Sequence, residues 1–145
     1  MKNTLAVGRF ALGLIFLASG VAKFLAYGST LGQMQAQGIP LSGFLLPVAA
    51  VIEIVGSSLL ILGVGIPFVS LLLAAYLVPV TLAFHGFWKE GDPVLRQMQT
   101  VQFLKNISIF GALVLTYGYQ RVLNSFSAGT LTTIRRKGYE PRRAA

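Results

Sequence analysis

A chain of 145 residues in which 54% are hydrophobic and only 11% are charged carries under half of the roughly 25% charge usual in soluble domains. With a mean hydropathy of +0.72 it lacks the polar groups a soluble domain of this size needs to cover its surface, and its wealth of apolar and aromatic residues excludes disorder. The absence of cysteine excludes a disulfide framework, a thiol redox centre, cysteine-ligated zinc and an iron–sulfur cluster, while the net charge of +8 makes the placement of charge the next question.

In chain order, residues 5–26 form a first apolar stretch broken only by Arg9 and Lys23 among ionisable groups. Residues 28–43 are an uncharged connection rich in Gly, Gln and Ser, with a stop at Ile39-Pro40. The second stretch, residues 44–64, contains only Glu53. Gly63-Val64-Gly65 reads as a tight hairpin, and Pro67 suits the first turn of a following helix. The third stretch, residues 68–88, contains only His85, and Pro79 is expected to kink it. Residues 89–100 hold Lys89, Glu90, Asp92 and Arg96, nearly balanced, before a fourth stretch over residues 101–119 that contains only Lys105. Each stretch is about the length that crosses ~30 Å of hydrocarbon as a helix. Helix is the conformation that satisfies the backbone there, and the period-2 alternation of barrel strands is absent. The expected fold is all-α, a four-helix transmembrane bundle. Residues 1–123 form its one domain and residues 124–145 a basic tail.

The Lys/Arg bias sets direction. Arg121, Arg135, Arg136, Lys137, Arg142 and Arg143 follow the last span and Lys2 precedes the first, whereas the opposite loops offer Lys89 and Arg96. Both termini are therefore expected in the cytoplasm, with Phe24, Tyr27, Phe87 and Trp88 near the outer interface and Tyr117 and Tyr119 near the inner one. A cleaved signal peptide over residues 1–20 is the plainer reading of the N-terminus, but Arg9 inside the apolar run argues against it. The tail reads as a topology determinant beside anionic lipid rather than as a nucleic-acid binder.

Ionisable groups within a bilayer cost about 2.5–3.5 kcal/mol each at mid-helix and call for a partner or a function. Arg9, Gly13, Phe16, Gly20 and Lys23 share one stripe of the first helix, and Ala49, Glu53, Gly56, Leu60 and Gly63 one of the second. The same spacing gives Ala74, Val78, Thr81, His85 and Trp88 in the third and Lys105, Ser108, Ala112, Leu115 and Tyr119 in the fourth. Small residues mixed with the ionisable one mark faces that pack together. Helical side chains lean toward their own N-terminus, which brings Lys23 and Glu53 toward each other with His85 close by. An outer-leaflet polar pocket of Glu53, Lys23, His85, Lys105 and Asn106 is expected. The bland alternative is an interhelical ion pair that only fixes packing, with His85 as a hydrogen-bonded packing residue.

One histidine and no cysteine supply neither paired haem ligands nor a zinc site, so no metal or haem is expected. No phosphate loop, dinucleotide fingerprint or Ser/His/Asp arrangement is present. A redox role then needs a diffusible carrier such as a membrane quinone. Its carbonyls would take Lys23, His85, Lys105 or Asn106 as donors, its ring would lie against Trp88, and Glu53 and His85 would serve as the proton-handling, catalytic pair. Proton or anion passage is the other use of a mid-membrane carboxylate with cationic neighbours.

The run RFALGLIFLASGVAKF, Glu53 followed by Gly56, AFHGFW closing the third span and QFLKNISIFG opening the fourth resemble the DoxX family of small bacterial membrane proteins over about residues 5–119. The resemblance implies a multi-pass protein of the bacterial inner membrane. It also implies a link to a thiosulfate:quinone oxidoreductase or to oxidative-stress complexes, with a soluble or membrane oxidoreductase as partner beside the lipid bilayer and no nucleic acid. A non-catalytic scaffold that anchors a soluble redox enzyme, and a small proton-coupled carrier, remain open beside a quinone-linked subunit. Four short helices leave the carrier little room for alternating access. Reporter fusions check the direction: a fusion at Gln35 should report the outer compartment and one at Ala145 the cytoplasm, and the reverse pattern would invert every depth assigned here.

Overall fold

The computed structural model describes the backbone of residues 2–138 and the side chains of residues 3–127. It is all-α, with no strand among the described residues. The helices are α1 (Lys2–Leu25), α2 (Tyr27–Ala36), α3 (Ser42–Leu62), α4 (Ile66–Phe84) and α5 (Pro93–Gly138), with a single 3₁₀ turn, Phe87–Lys89, between the last two. Four of these elements are long and apolar enough to cross a membrane: α1, α3, α4 with its 3₁₀ extension, and α5. We call the side holding the α3–α4 hairpin inner and the other outer.

Three boundaries differ from the sequence expectation, each for a local reason. The first connection contains α2, a neutral Gln/Ser/Thr helix that places Leu31 and Met34 one turn apart, with Met34 buried. Helix α4 stops at Phe84 within the third span, and Gly86 leads into the 3₁₀ turn, so His85 and Trp88 lie past the helix rather than on its face. The fourth span starts at Pro93. Asp92 Oδ1 accepts hydrogen bonds from the Val94 and Leu95 amides at 2.8 and 2.9 Å, an N-cap followed by proline at the first helical position. Arg96, Gln97 and Gln99 hid those two turns from a reading based on hydropathy. At its other end α5 runs unbroken through residue 124, where the tail was expected to begin. Arg142 and Arg143 of that tail lie outside the described residues.

The inner half is the solid half. Gly63 takes φ +78° and Gly65 φ +59°, so the chain reverses between α3 and α4 without side-chain strain, and the amides of Gly63 and Val64 close the end of α3 on Leu60 and Leu59. Above that turn Phe16, Leu60, Leu73 and Leu113, one from each spanning helix, are nearly inaccessible and form the core with Val69 and Leu77. Helix α5 turns Leu113 inward while Leu115 is 75% exposed, so its packing face is centred on Asn106 and Leu113 and not on the expected Lys105–Leu115 stripe.

Helix α1 lies against α3 along its length because two glycines leave room for it. A Cβ on Gly20 would sit 2.7 Å from Ile54 Cγ1, 3.0 Å from Glu53 Cβ and 3.1 Å from the Ala50 carbonyl, and one on Gly13 would sit 2.7 Å from Ile61 Cγ1. These are contacts no real side chain makes, and such close approach is how helices associate where the solvent is itself apolar. Helices α4 and α5 form the second close pair, α3 meets α4 less extensively, α1 only grazes α5, and neither α1 with α4 nor α3 with α5 comes into close backbone contact. The two pairs therefore diverge toward the outer side and leave a cavity between them.

Gly20→Ala should destabilise the bundle by about 1–3 kcal/mol, the usual range for overpacking. Gly111→Ala, whose added methyl would meet nothing within 4 Å, should be neutral or slightly stabilising. Thermal unfolding of the two variants in one detergent checks the difference, and equal behaviour would refute the close-packing role of Gly20.

Candidate functional site

The cavity has a volume of about 710 Å³ and occupies the outer half of the bundle. Its walls are mostly apolar: Phe16 and Ala22 from α1, Val48 and Ile52 from α3, Val80 and Phe84 from α4, and Ile109 from α5. Helix α2 turns off α1 at Ala26 and packs on the outer end of α3, where the Tyr27 hydroxyl donates to the Gly43 carbonyl at 3.3 Å. Thr30, Gln33 and Met34 of that helix wall the outer end of the cavity.

At the deeper end sits Glu53, only 3% exposed. Lys23 Nζ lies 2.7 Å from Glu53 Oε2, and the Tyr76 hydroxyl donates to Glu53 Oε1 at 2.8 Å. Lys23 also donates to Ser19 Oγ, one turn earlier on α1, at 2.8 Å. Both oxygens of the carboxylate are therefore engaged, one by a cation and one by a phenol, which is the condition for holding charge in a low-dielectric interior. Lys23 reaches Glu53 because Gly20, one turn below it, brings the two helices into contact at the level of Glu53 itself.

A second polar tier lies nearer the outer side. His85 Nδ1 donates to Gln99 Oε1 at 2.8 Å, which places the ring proton on Nδ1 and leaves Nε2 as an acceptor in the neutral ring. The Asn106 amide donates to Thr81 Oγ1 at 3.0 Å, and Thr81 in turn donates to the Leu77 carbonyl at 2.7 Å. Lys105 lines the cavity from the edge of the α5 packing face and makes no hydrogen bond or ion pair among the described residues.

Lys23, Glu53, His85, Lys105 and Asn106 thus line one cavity. Trp88 does not. It is 52% exposed and packs edge-to-face with Phe87 and Phe103, at centroid distances of 5.1 and 5.8 Å, outside the cavity wall. Three contributors escaped the sequence reading: Tyr76, Ser19 and Gln99. Ser19 was legible, since it stands four residues before Lys23 on the stripe of α1. Tyr76 lies on α4 away from the stripe that holds His85, and Gln99 falls in the two turns of α5 whose polar composition reads as loop. Among the described residues no group of His, Asp and Glu is arranged to hold a metal ion.

The DoxX family profile matches residues 4–86. The chain is similar to the inner membrane protein YphA of Escherichia coli strain K12, 30% identical over 112 residues that cover 77% of this chain and 79% of the relative. It is also similar to the inner membrane protein YqjF of the same organism, 27% identical over 125 residues covering 81% of this chain and 90% of the relative. No solved structure matches the chain. Compartment and fold agree: this is a multi-pass inner-membrane bundle.

Removing one member of the buried pair should cost about 3–5 kcal/mol, because the other charge is left unpaired in the bundle. Glu53→Gln and Lys23→Met should each lower the unfolding temperature strongly, while the double variant should lose far less than the sum of the two. A double-mutant cycle reads this directly, and strictly additive losses would show that the two charges do not stabilise one another.

Proposed function

The chain belongs to the DoxX family, and from that premise we propose that it is the membrane subunit of a quinone-linked oxidoreductase or oxidative-stress complex, holding the quinone in the outer-half cavity. The observation that supports this reading is a donor set on otherwise apolar walls. Lys105 faces the cavity with no partner, the Asn106 amide has a second N–H beyond the one given to Thr81, and both stand among aliphatic and aromatic neighbours. The volume lies in the range of pockets that take drug-sized ligands, roughly 300–1,000 Å³, enough for a substituted ring and the first part of an isoprenoid tail.

A bound quinone supplies a couple of two electrons and two protons. Lys105 and Asn106 would hold it by donating to its carbonyl oxygens, the charge on Lys105 making its bond the stronger. Phe84, Val80 and Ile52 exclude water around the ring, with Phe84 in the place expected of Trp88. Glu53 is the proton-accepting group: the Lys23 ammonium on one of its oxygens would hand it a proton, leaving a neutral amine to be reprotonated, while the Tyr76 hydroxyl holds the other oxygen. His85 accepts at Nε2 while Gln99 holds its ring by Nδ1. Electrons come from a partner enzyme, since one histidine and no cysteine supply no ligand set for a metal centre within this chain.

A second reading, a scaffold that docks a redox enzyme, is favoured by α5, which continues from Tyr119 to Gly138 and so extends about 28 Å past the inner interface at 1.5 Å per residue.

Purification in mild detergent followed by solvent extraction should yield a quinone. A short-chain quinone analogue should bind Lys105→Met and Asn106→Leu about ten-fold more weakly than the unaltered chain, the loss of one strong hydrogen bond. No quinone in the extract together with no analogue binding would overturn the reading. A partner enzyme that then still co-purifies, and is lost on truncation after Leu123, would leave the scaffold in its place.

A further inference from the structure

Among the described residues Arg9 is a charge without a counter-ion. Its Nε is buried and has no hydrogen-bond partner, and the guanidinium makes no ion pair. Its Nη2 lies 3.2 Å from where a Cβ on Gly63 would stand, so the group rests over the turn that closes α3, at the level of the inner interface. Of the acidic residues, Glu53 is held by Lys23 and Tyr76, and Glu90 and Asp92 belong to the outer loop. Glu140 lies outside the described residues.

Beside Arg9 is a cleft of about 240 Å³ where α1 faces α5, separate from the outer cavity and lined by Thr4, Gly8, Arg9, Thr116, Tyr119 and Gln120. Among the described residues the hydroxyls of Thr4 and Tyr119 make no hydrogen bond, and Gln120 gives one N–H to Asn124 and keeps the other. This is, among the described residues, a cation with neutral donors and the apolar side chains of Leu5, Ile66 and Leu115 around it and no acid, at the inner end of the bundle. A planar guanidinium matches the oxygens of a phosphate with two parallel bonds, and anionic lipid at the inner surface attracts basic groups by about 1 kcal/mol each.

We propose that this inner cleft is a binding site for the phosphate group of an anionic phospholipid, with Arg9 as its charged donor and Thr4, Tyr119 and Gln120 as neutral ones. The lipid neutralises Arg9 and bridges α1 to α5, two spanning helices with little contact of their own. The site is independent of the outer cavity, so it stands or falls apart from any quinone.

The test uses the full chain, purified and delipidated in mild detergent and titrated separately with dioleoyl phosphatidylglycerol, dioleoyl phosphatidylcholine and inorganic phosphate. Unfolding temperature and native mass spectrometry are the readouts. Phosphatidylglycerol should stay bound and raise the unfolding temperature, and Arg9→Gln should bind it about ten-fold more weakly. Thr116→Asp keeps Arg9 but supplies an acid within the cleft, so it should abolish the lipid response in a folded protein even where Arg9→Gln does not fold. Unchanged phosphatidylglycerol binding in both variants would overturn the site. Equal action of phosphatidylcholine would overturn the preference for anionic lipid, and equal action of inorganic phosphate would overturn the lipid as its source.

Discussion

Glu53 sits half-way along a membrane helix, where a carboxylate tolerates ionisation only when a cation reaches it. The cation is on another helix, and Lys23 Nζ can stand 2.7 Å away only because α1 and α3 touch. They touch because Gly13 and Gly20 present no side chain to Ile61, Ile54 and the backbone of Ala50. The chain of cause runs from two glycines seven residues apart, to helix contact, to an ion pair, to a polar floor for the cavity. Tyr76 extends it across to α4, so a single carboxylate ties three spanning helices together.

That arrangement also explains why the outer half stays open. In the inner half four large apolar side chains meet and fill the space between helices. Above Glu53 the facing positions are smaller or polar: Ala49 on α3, Pro79 and Ala83 on α4, Gln102 and Asn106 on α5. Without bulk to fill the gap above the Glu53–Tyr76 contact, the two helix pairs leave space between them. Pro79 adds to this, since it removes the amide that would have bonded the Ala75 carbonyl on the wall of α4. Packing density makes one half a core, and its local failure makes the other half a receptacle.

Most of this was legible in the amino-acid order, because membrane helices obey few rules and those rules are strict. The four spans follow from length and hydropathy, and the meeting of Lys23 with Glu53 follows from helical phase and from the lean of side chains. What escaped had weaker signals. Helix α2 carries no charge and little hydropathy contrast, so its composition reads as loop. The start of α5 was written in a two-residue signal, Asp92 and Pro93, that hydropathy overlooks. The inward face of α5 was misjudged because Lys105 is at its edge, and a single ionisable residue is a poor guide to the centre of a face. Tyr76 was invisible for a different reason: a tyrosine in an apolar helix gives no periodic cue, and only the fold reveals the acceptor opposite its hydroxyl.

The separation of thirty residues between Lys23 and Glu53 has a consequence for biosynthesis. At about 5–20 residues per second, Lys23 is made roughly 2–6 s before its partner charge. Through that interval Lys23 has no carboxylate to neutralise it and must keep its ammonium at the water boundary, so α1 cannot settle at its final depth. The ion pair that neutralises Lys23 inside the bundle is therefore available only once α3 lies beside α1. The order of translation is thus built into the protein's assembly, and the glycine face of α1 waits exposed until the helix that fits it arrives.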